Sequence, residues 1–343
     1  MSVPPRWIRR PILIPAVITA AVLCVTTLPM WVLVSAALSP MVPGRLRPLR
    51  VLWLATAYLI LESLALIILG GLWIASGFGW KIRAPWCQTA HYRLVRWYLW
   101  ILFGEVRRVL RLRIEVAGPE PDAYPGHPLI VCCRHAGPGD SLILIHALIN
   151  WYRREPRIVL KDSLQWDPGI DVVLNRLPNR FLSPNWGRTT TPRRAHSRDP
   201  EQEIAALASQ LDDNDALVIF PEGGNFTLRR RWYAITRLRS LGLTHMAQRA
   251  ERMRHVLAPR PGGLAAALTA APEADVMVVA HTGLDHLTTV ADIWRELPMD
   301  KTITMRWWRI PAADIPRDPE AQISWLYDWW EHIDTWIDEH RHR

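Results

Sequence analysis

The sequence predicts an α/β domain, a sheet flanked by helices, preceded by an N-terminal transmembrane helical hairpin. Two long apolar runs open the chain, and from Arg111 short β-rich runs alternate with helical ones. Half of the 343 residues are hydrophobic and 21% are charged, which excludes wholesale disorder. That length allows one large or two ordinary domains.

No charged residue lies between Arg10 and Arg45. Ile12–Leu38 alone is long enough to cross a bilayer, whose hydrocarbon core of ~30 Å needs roughly 20 helical residues. The second run, Val51–Gly79, holds one charge, Glu62. A carboxylate at mid-membrane costs about 2.5–3.5 kcal/mol on insertion scales, so Glu62 is expected to be protonated or turned toward the other helix. Arg6, Arg9 and Arg10 resemble the start of a signal peptide, but a signal core spans roughly 7–15 residues and has no second run behind it. Residues 1–80 are therefore read as the hairpin. The N-terminus and the connecting loop each carry three arginines, and Lys81, Arg83, Arg93 and Arg96 follow the second run. This balance places both ends on the cytoplasmic side. Around Tyr92–Leu110, Arg93, Arg96, Gly104, Arg107 and Arg111 fall on one side of a helix and Trp97, Leu99, Ile101 and Phe103 fill the other, so residues 81–111 read as an interfacial amphipathic helix.

Residues 112–343 form the remaining domain. Its expected strands are Leu112–Val116, Leu129–Cys133, Arg157–Leu160, Ala216–Phe220, Val276–Ala280 and Thr302–Trp308. Helical patterns fall at Ser141–Arg153, Glu201–Leu211, Arg229–Ser240, Thr244–Leu257, Gly262–Ala271 and Pro319–Trp336. The polar stretch Trp186–Pro200 reads as an exposed loop. The four cysteines have neither the CxxC nor the Cys/His spacing of a zinc site, so no metal is expected.

Two segments carry the chemistry. The first is Arg134-His135-Ala-Gly-Pro-Gly-Asp140-Ser141, between a strand and a helix, where active-site loops of α/β domains lie. Residues five apart in a continuous helix are rotated by ~140° and do not pair. The Gly-Pro-Gly break lets a turn fold Asp140 back toward the imidazole. Asp140 as a plain helix N-cap is the alternative, and the two roles are compatible. The second segment is Phe220-Pro221-Glu222-Gly223-Gly224-Asn225, at the end of an apolar strand; an ordinary turn is its bland reading.

Together, His-x-x-x-x-Asp and Phe-Pro-Glu-Gly some 80 residues later resemble the glycerolipid acyltransferase family, whose best-known members acylate lysophosphatidic acid. Val159-Leu160-Lys161 resembles that family's second block. His255-Val-Leu-Ala-Pro-Arg260-Pro-Gly-Gly263 resembles the Leu-x-Pro-Arg-x-x-Gly block of its lysophosphatidic acid and lysocardiolipin branch. The resemblance spans about Arg111 to Ile315. It implies a mixed sheet flanked by helices, with His135 as general base and Asp140 holding the other ring nitrogen. It further implies Glu222, Gly223, Gly224 and Asn225 around the acceptor, and Lys161 and Arg260 at its phosphate. The implied reaction moves a fatty acyl group from acyl-CoA, a co-substrate rather than a cofactor, or from acyl carrier protein to a lysophospholipid, first of all 1-acylglycerol-3-phosphate. Acceptors such as lysophosphatidylinositol or lysocardiolipin are the alternative, and a non-catalytic lipid-binding membrane protein is the reading from a different class. One departure stands out: Asn225 sits where the family usually has arginine. A neutral residue there suits a phosphodiester better than a dianionic monoester.

The net charge is +9, and Arg229–Arg254 holds eight arginines against Glu251 alone. No nucleic-acid recognition motif accompanies the charge, so no nucleic-acid partner is expected. An anionic bilayer or the phosphates of coenzyme A explain it more simply. Membrane lipids are the expected surroundings, with the protein integral to the cell (plasma) membrane and its catalytic domain cytoplasmic. From Glu273 onward 14 acidic residues face 7 basic ones, and the aromatic stripe of the last helix is expected to pack on the domain.

Overall fold

The computed structural model describes residues 3–118, 126–182, 199–284 and 290–341. Helices α1 (Arg6–Thr26), α2 (Leu28–Leu38), α3 (Arg47–Ala75) and α4 (Pro85–Leu110) come first. Next are β1 (Arg113–Ala117), β2 (Leu129–Cys133), α5 (Pro138–His146), β3 (Glu155–Lys161), α6 (Pro168–Leu174), β4 (Arg180–Leu182) and α7 (Pro200–Ala208). Then follow β5 (Asp215–Ile219), α8 (Leu228–Ser240), α9 (Thr244–Arg252), α10 (Pro261–Ala270) and β6 (Asp275–Thr282). Last come α11 (Val290–Arg295), β7 (Thr302–Ile310) and α12 (Pro319–His340). The chain divides into two compact units, the first made of Met1–Leu112, Ile158–His196 and Glu296–Asp300 and the second of the rest. Residues 158–182, grouped by sequence with the domain that starts at 112, thus cluster with the N-terminal helices.

In the first unit, α1 and α3 are long and apolar enough to cross a membrane. The run expected as one helix over Ile12–Leu38 is two, parted at Thr27. Pro29 has no N–H to offer the carbonyl of Val25 and its ring crowds that carbonyl, so the helix restarts with Pro29 in its first turn. Ala65, Leu66 and Leu69 of α3, Leu94 of α4 and Val172 of α6 form a buried cluster in this unit. Helix α4 buries Leu94, Leu99 and Phe103 and exposes Arg93, Trp100, Gly104 and Arg107. Glu62 is buried. It accepts from the Gly169 amide of α6 at 2.6 Å and from the Tyr98 hydroxyl of α4 at 3.2 Å, because a buried carboxylate must find donors. Arg9 and Arg10 grip the buried Asp171, the latter at 2.7 Å. At the other end of the hairpin, Arg47 donates to the Leu297 carbonyl at 3.0 Å and Arg50 to that of Val109. Parallel β3 and β4 pair Val159 with Arg180. Both β4 and α6 were missed by sequence, the first for having three residues and the second for opening on Pro168-Gly169, which reads as a turn. Most of the polar loop Trp186–Pro200, residues 186–198, lies outside the described residues.

In the second unit the strand order is β1-β7-β6-β2-β5. β1 and β7 are parallel, β7 and β6 antiparallel, and β6, β2 and β5 run parallel. The three central strands are buried along their whole length, which is why Leu129–Cys133 and Ala216–Ile219 read as continuous apolar runs rather than alternating ones. Helix α5 passes into a π-turn at Ala147–Trp151 instead of continuing to Arg153. Helix α12 buries Tyr327, Trp330, Ile333 and Trp336, with Trp325 and Trp329 half-buried, and its Asp328 and Glu331 pair with Arg249 of α9 at 2.6 and 2.9 Å.

Candidate active site

Three parallel neighbours end on the same side of the sheet, so the segments that leave β5, β2 and β6 meet at one edge. In open α/β sheets that edge is where ligands bind. The segments after β5 and β2 carry Glu222 and His135, and the end of β6 itself carries His281. The ladder runs one residue beyond β2, with the Arg134 amide donating to Val279 at 3.2 Å, and this sets His135 beside the end of β6.

Gly137, in extended conformation, caps α5, and Asp140 is the third helical residue. The expected break therefore falls before Pro138, and Gly139 already belongs to the helix. From this position Asp140 reaches backward. Its Oδ2 accepts from the amides of Ala136 at 2.7 Å and Gly137 at 3.1 Å, and Oδ1 accepts from the Ser141 amide at 2.6 Å. A helix-start carboxylate satisfying the amides before it is half of a capping box. The same carboxylate lies 3.0 Å from Nδ1 of His135. Capping and imidazole support are thus one structure, as the two sequence readings allowed. The His135 ring packs on Phe220, centroids 4.7 Å apart. Burial by itself would raise the Asp140 pKa, but the hydrogen bond from His135 and the nearness of His281 outweigh it and hold the group well below the usual carboxylate range.

Glu222 meets the opposite fate. Its Oε1 accepts from the His135 amide at 3.0 Å and its Oε2 from the Leu257 amide at 2.8 Å. Complete burial pushes its pKa up to about 7, against the opposing pull of Arg134 and the two amides. Glu222 therefore fixes two backbones: that of the candidate base and that of the Leu257–Gly263 block. The Arg260 amide closes the same junction on the Pro221 carbonyl at 2.9 Å, and the Phe226 amide donates to the His135 carbonyl at 2.7 Å.

Gly223 adopts φ +67°, a left-handed conformation that disfavours side chains. A Cβ there would stand 3.1 Å from the Arg260 guanidinium, and one on Gly224 would stand 2.8 Å from Nη1 of Arg230. Arg230 also donates to the Asn225 carbonyl at 3.0 Å. Two guanidiniums thus lie against the Gly223–Asn225 backbone. Desolvation, with Arg237 and Arg230 nearby, lowers the pKa of Arg260, as expected where cations crowd.

The structure brings together His135, Asp140, Glu222, Gly223, Gly224, Asn225 and Arg260. Lys161 ends β3 in the first unit with its side chain exposed. Two participants were not singled out by sequence. Arg134 is fully buried and donates to the carbonyls of His281 at 2.6 Å and His255 at 3.1 Å. His281 is buried with Nε2 3.6 Å from Asp140, within ion-pair range but beyond a hydrogen bond. Their signals were present: an arginine directly after five apolar strand residues, and a histidine closing another apolar strand. Cys132 and Cys133 are no nucleophiles, since burial pushes the first up to about 12 and the second well above its ordinary value.

Residues 113–280 match the acyltransferase family, so this part of the chain is an acyltransferase-family domain. No curated protein matches the chain. Among solved structures it is similar to the crystal structure of the 1-acyl-sn-glycerophosphate (LPA) acyltransferase, PlsC, from Thermotoga maritima. The two are 15% identical, with 83% of this chain and 96% of that chain covered and a TM-score of 0.48.

Proposed function

We propose that the protein is a membrane-bound acyltransferase that moves a fatty acyl group from acyl-CoA or acyl carrier protein to the free hydroxyl of a lysophospholipid, with 1-acylglycerol-3-phosphate as the leading acceptor and phosphatidic acid as its product. The observation that carries this reading is the His135–Asp140 contact beside the Glu222 loop. With Nδ1–H given to the carboxylate, the Nε2 lone pair of His135 is the available base. It takes the proton of the acceptor hydroxyl as the oxygen attacks the thioester carbonyl. When the tetrahedral intermediate collapses, the carbon–sulfur bond breaks and the imidazolium returns the proton to the departing thiolate. Asp140 stabilises the imidazolium in between. No serine stands in a Gly-x-Ser-x-Gly elbow, which argues for direct transfer rather than an acyl-enzyme.

Arg260 and Arg230 support a phosphate-bearing acceptor, since they bring cationic charge to the loop where Asn225 brings none. The test is thiol release by purified full-length protein given acyl-CoA and a panel of lysolipids. Lysolipid-dependent release that His135→Ala abolishes supports the reading. Full activity in His135→Ala, or binding without turnover, replaces it with another base or with a lipid-binding role.

The hairpin is proposed to hold the protein in the cell membrane with the catalytic domain cytoplasmic. A cysteine placed beside Arg47 labels from outside if the hairpin crosses. It labels only after permeabilisation if the hairpin inserts from one face, which the Arg47–Leu297 and Arg50–Val109 contacts favour.

A further inference from the structure

The eight arginines of Arg229–Arg254 do not form one surface. Arg249 is buried against Asp328 and Glu331, and Arg231 donates to the carbonyls of Met253 and Glu251. Arg229, Arg230 and Arg237 of α8 are exposed and α8 contains no acidic residue, while Arg239 pairs with Glu251 of α9 at 2.5 Å. Helix α8 packs inward through Ile235, with Ala234 and Leu238 beside it. Its outer side is unusual for a charged helix: Leu228 is 76%, Trp232 60% and Tyr233 52% exposed, and the turn that follows adds Leu241 at 61%. Leu243 is exposed as well, and among the described residues of this unit the only other exposed large apolar side chains are Trp151 and Trp294. Singly exposed apolar residues need no explanation, but a cluster of five within one helix and its turn marks an interaction surface.

We infer that α8 and its following turn dock on an anionic lipid surface, with Trp232, Leu228 and Leu241 entering the headgroup region and Arg229 and Arg237 meeting lipid phosphates. Charge complementarity selects this occupant. Arginines flanking exposed tryptophan, tyrosine and leucine on a single helix are the composition of an interfacial helix, since the aromatic rings need one apolar and one wet edge. The docking also has a consequence at the site. Thr227 caps α8 by accepting from the Arg230 amide at 3.2 Å, and Phe226 is bonded to the His135 carbonyl, so α8 is continuous with the loop that holds the candidate base. A bilayer under α8 brings that loop to the surface from which a lysolipid would arrive. The inference holds whichever acceptor the site takes.

The test is spin labelling of the full chain in vesicles of phosphatidylcholine and phosphatidylglycerol at 3:1 (about one quarter anionic lipid, where the surface field is strong). Single cysteines replace Trp232 or Leu241, with exposed Thr269 and Glu273 as controls, in a Cys24→Ser background. Labels at 232 and 241 should be several-fold more accessible to oxygen than to a water-soluble nickel chelate relative to the controls. The contrast should shrink in pure phosphatidylcholine and in Arg229→Glu/Arg237→Glu. Nickel accessibility equal to that of Thr269 overturns the inference. So does protection that persists in detergent with spin–spin broadening, which would mark a second copy of the chain as the occupant. A contrast unchanged by lipid charge overturns the role given to the arginines.

Discussion

The loop after β2 and the loop after β5 each bring one buried carboxylate to the same edge of the sheet, and they treat it in opposite ways. Asp140 faces two imidazoles and three backbone amides, so burial loses to its neighbours and the group stays charged far below its ordinary range. Glu222 accepts two amides and sits near Arg134, but complete burial prevails and its carboxyl rises to about 7. In sequence both are acidic residues next to glycines. What separates them is the partner: a group that can itself carry a compensating charge in direct contact keeps an anion, whereas amides and a more distant guanidinium do not fully replace water. The first carboxylate suits electrostatic support of a base, and the second suits holding backbones in place.

The largest effect that would break this division is on activity. His135→Ala should lower turnover by about 10²–10⁴-fold, and Asp140→Asn by a comparable factor, because the amide cannot stabilise an imidazolium. Lysolipid binding should survive both. Acyl transfer measured beside equilibrium binding of the lysolipid checks this, and a loss of binding in Asp140→Asn would make it a structural carboxylate like Glu222.

Glu222→Gln should act first on stability. The amide offers one oxygen where the carboxylate offers two, so either the His135 or the Leu257 amide loses its acceptor, at a cost of about 1–3 kcal/mol. A lower unfolding midpoint is expected, with turnover falling only as far as His135 is displaced. A stable variant with turnover reduced as far as in His135→Ala would move Glu222 into the chemistry.

The pH dependence sharpens the same contrast because the signs differ. For Glu222 the folded pKa lies above the unfolded value of 4.5, so the folded state binds the extra proton between 4.5 and about 7. Its contribution is complete below 4.5 and is lost as pH rises through 7. For Asp140 the contribution is present above 3.8 and is lost as pH falls. Unfolding midpoints from pH 4 to 8 should show a decline toward neutrality that Glu222→Gln removes. If that slope persists in the variant, Glu222 is not its source.

The smallest effects concern the acceptor. Arg260→Ala or Arg230→Ala should raise KM for lysophosphatidic acid by about tenfold or more, as loss of a charge-assisted contact does. Asn225→Arg should shift the kcat/KM ratio toward the monoester over a lysophosphodiester by a few-fold. A ratio unmoved by Asn225→Arg but collapsed by Arg230→Ala would mean that α8 already supplies the missing charge.

The strands were legible because the three central ones are apolar throughout, and the site was legible because its two segments each follow such a strand. The helix breaks were less so. Thr27 interrupts an unbroken apolar run because of Pro29, two residues on, and β4 has only three residues, too few for any periodicity. The dominant partner of Glu62 could not be read from the hairpin, since Gly169 lies more than a hundred residues away.

By itself the sequence determined the central strands, most of the helices and the His135–Asp140 and Glu222 segments, since apolar runs, prolines and glycines act over a few residues. Only the tertiary structure decided that β5, β2 and β6 are neighbours, that His281 and Arg134 join the His135–Asp140 pair, and that Arg230 and Arg260 share the glycines of one loop. It also decided that Arg249 and Arg252 of one arginine tract pair with an acidic helix some 80 residues on while Arg229, Arg230 and Arg237 stay exposed. The reason is physical. Charge, desolvation and hydrogen bonding depend on distance in space, and residues 80 to 150 apart in the chain are brought within a few ångströms only by the order of the strands.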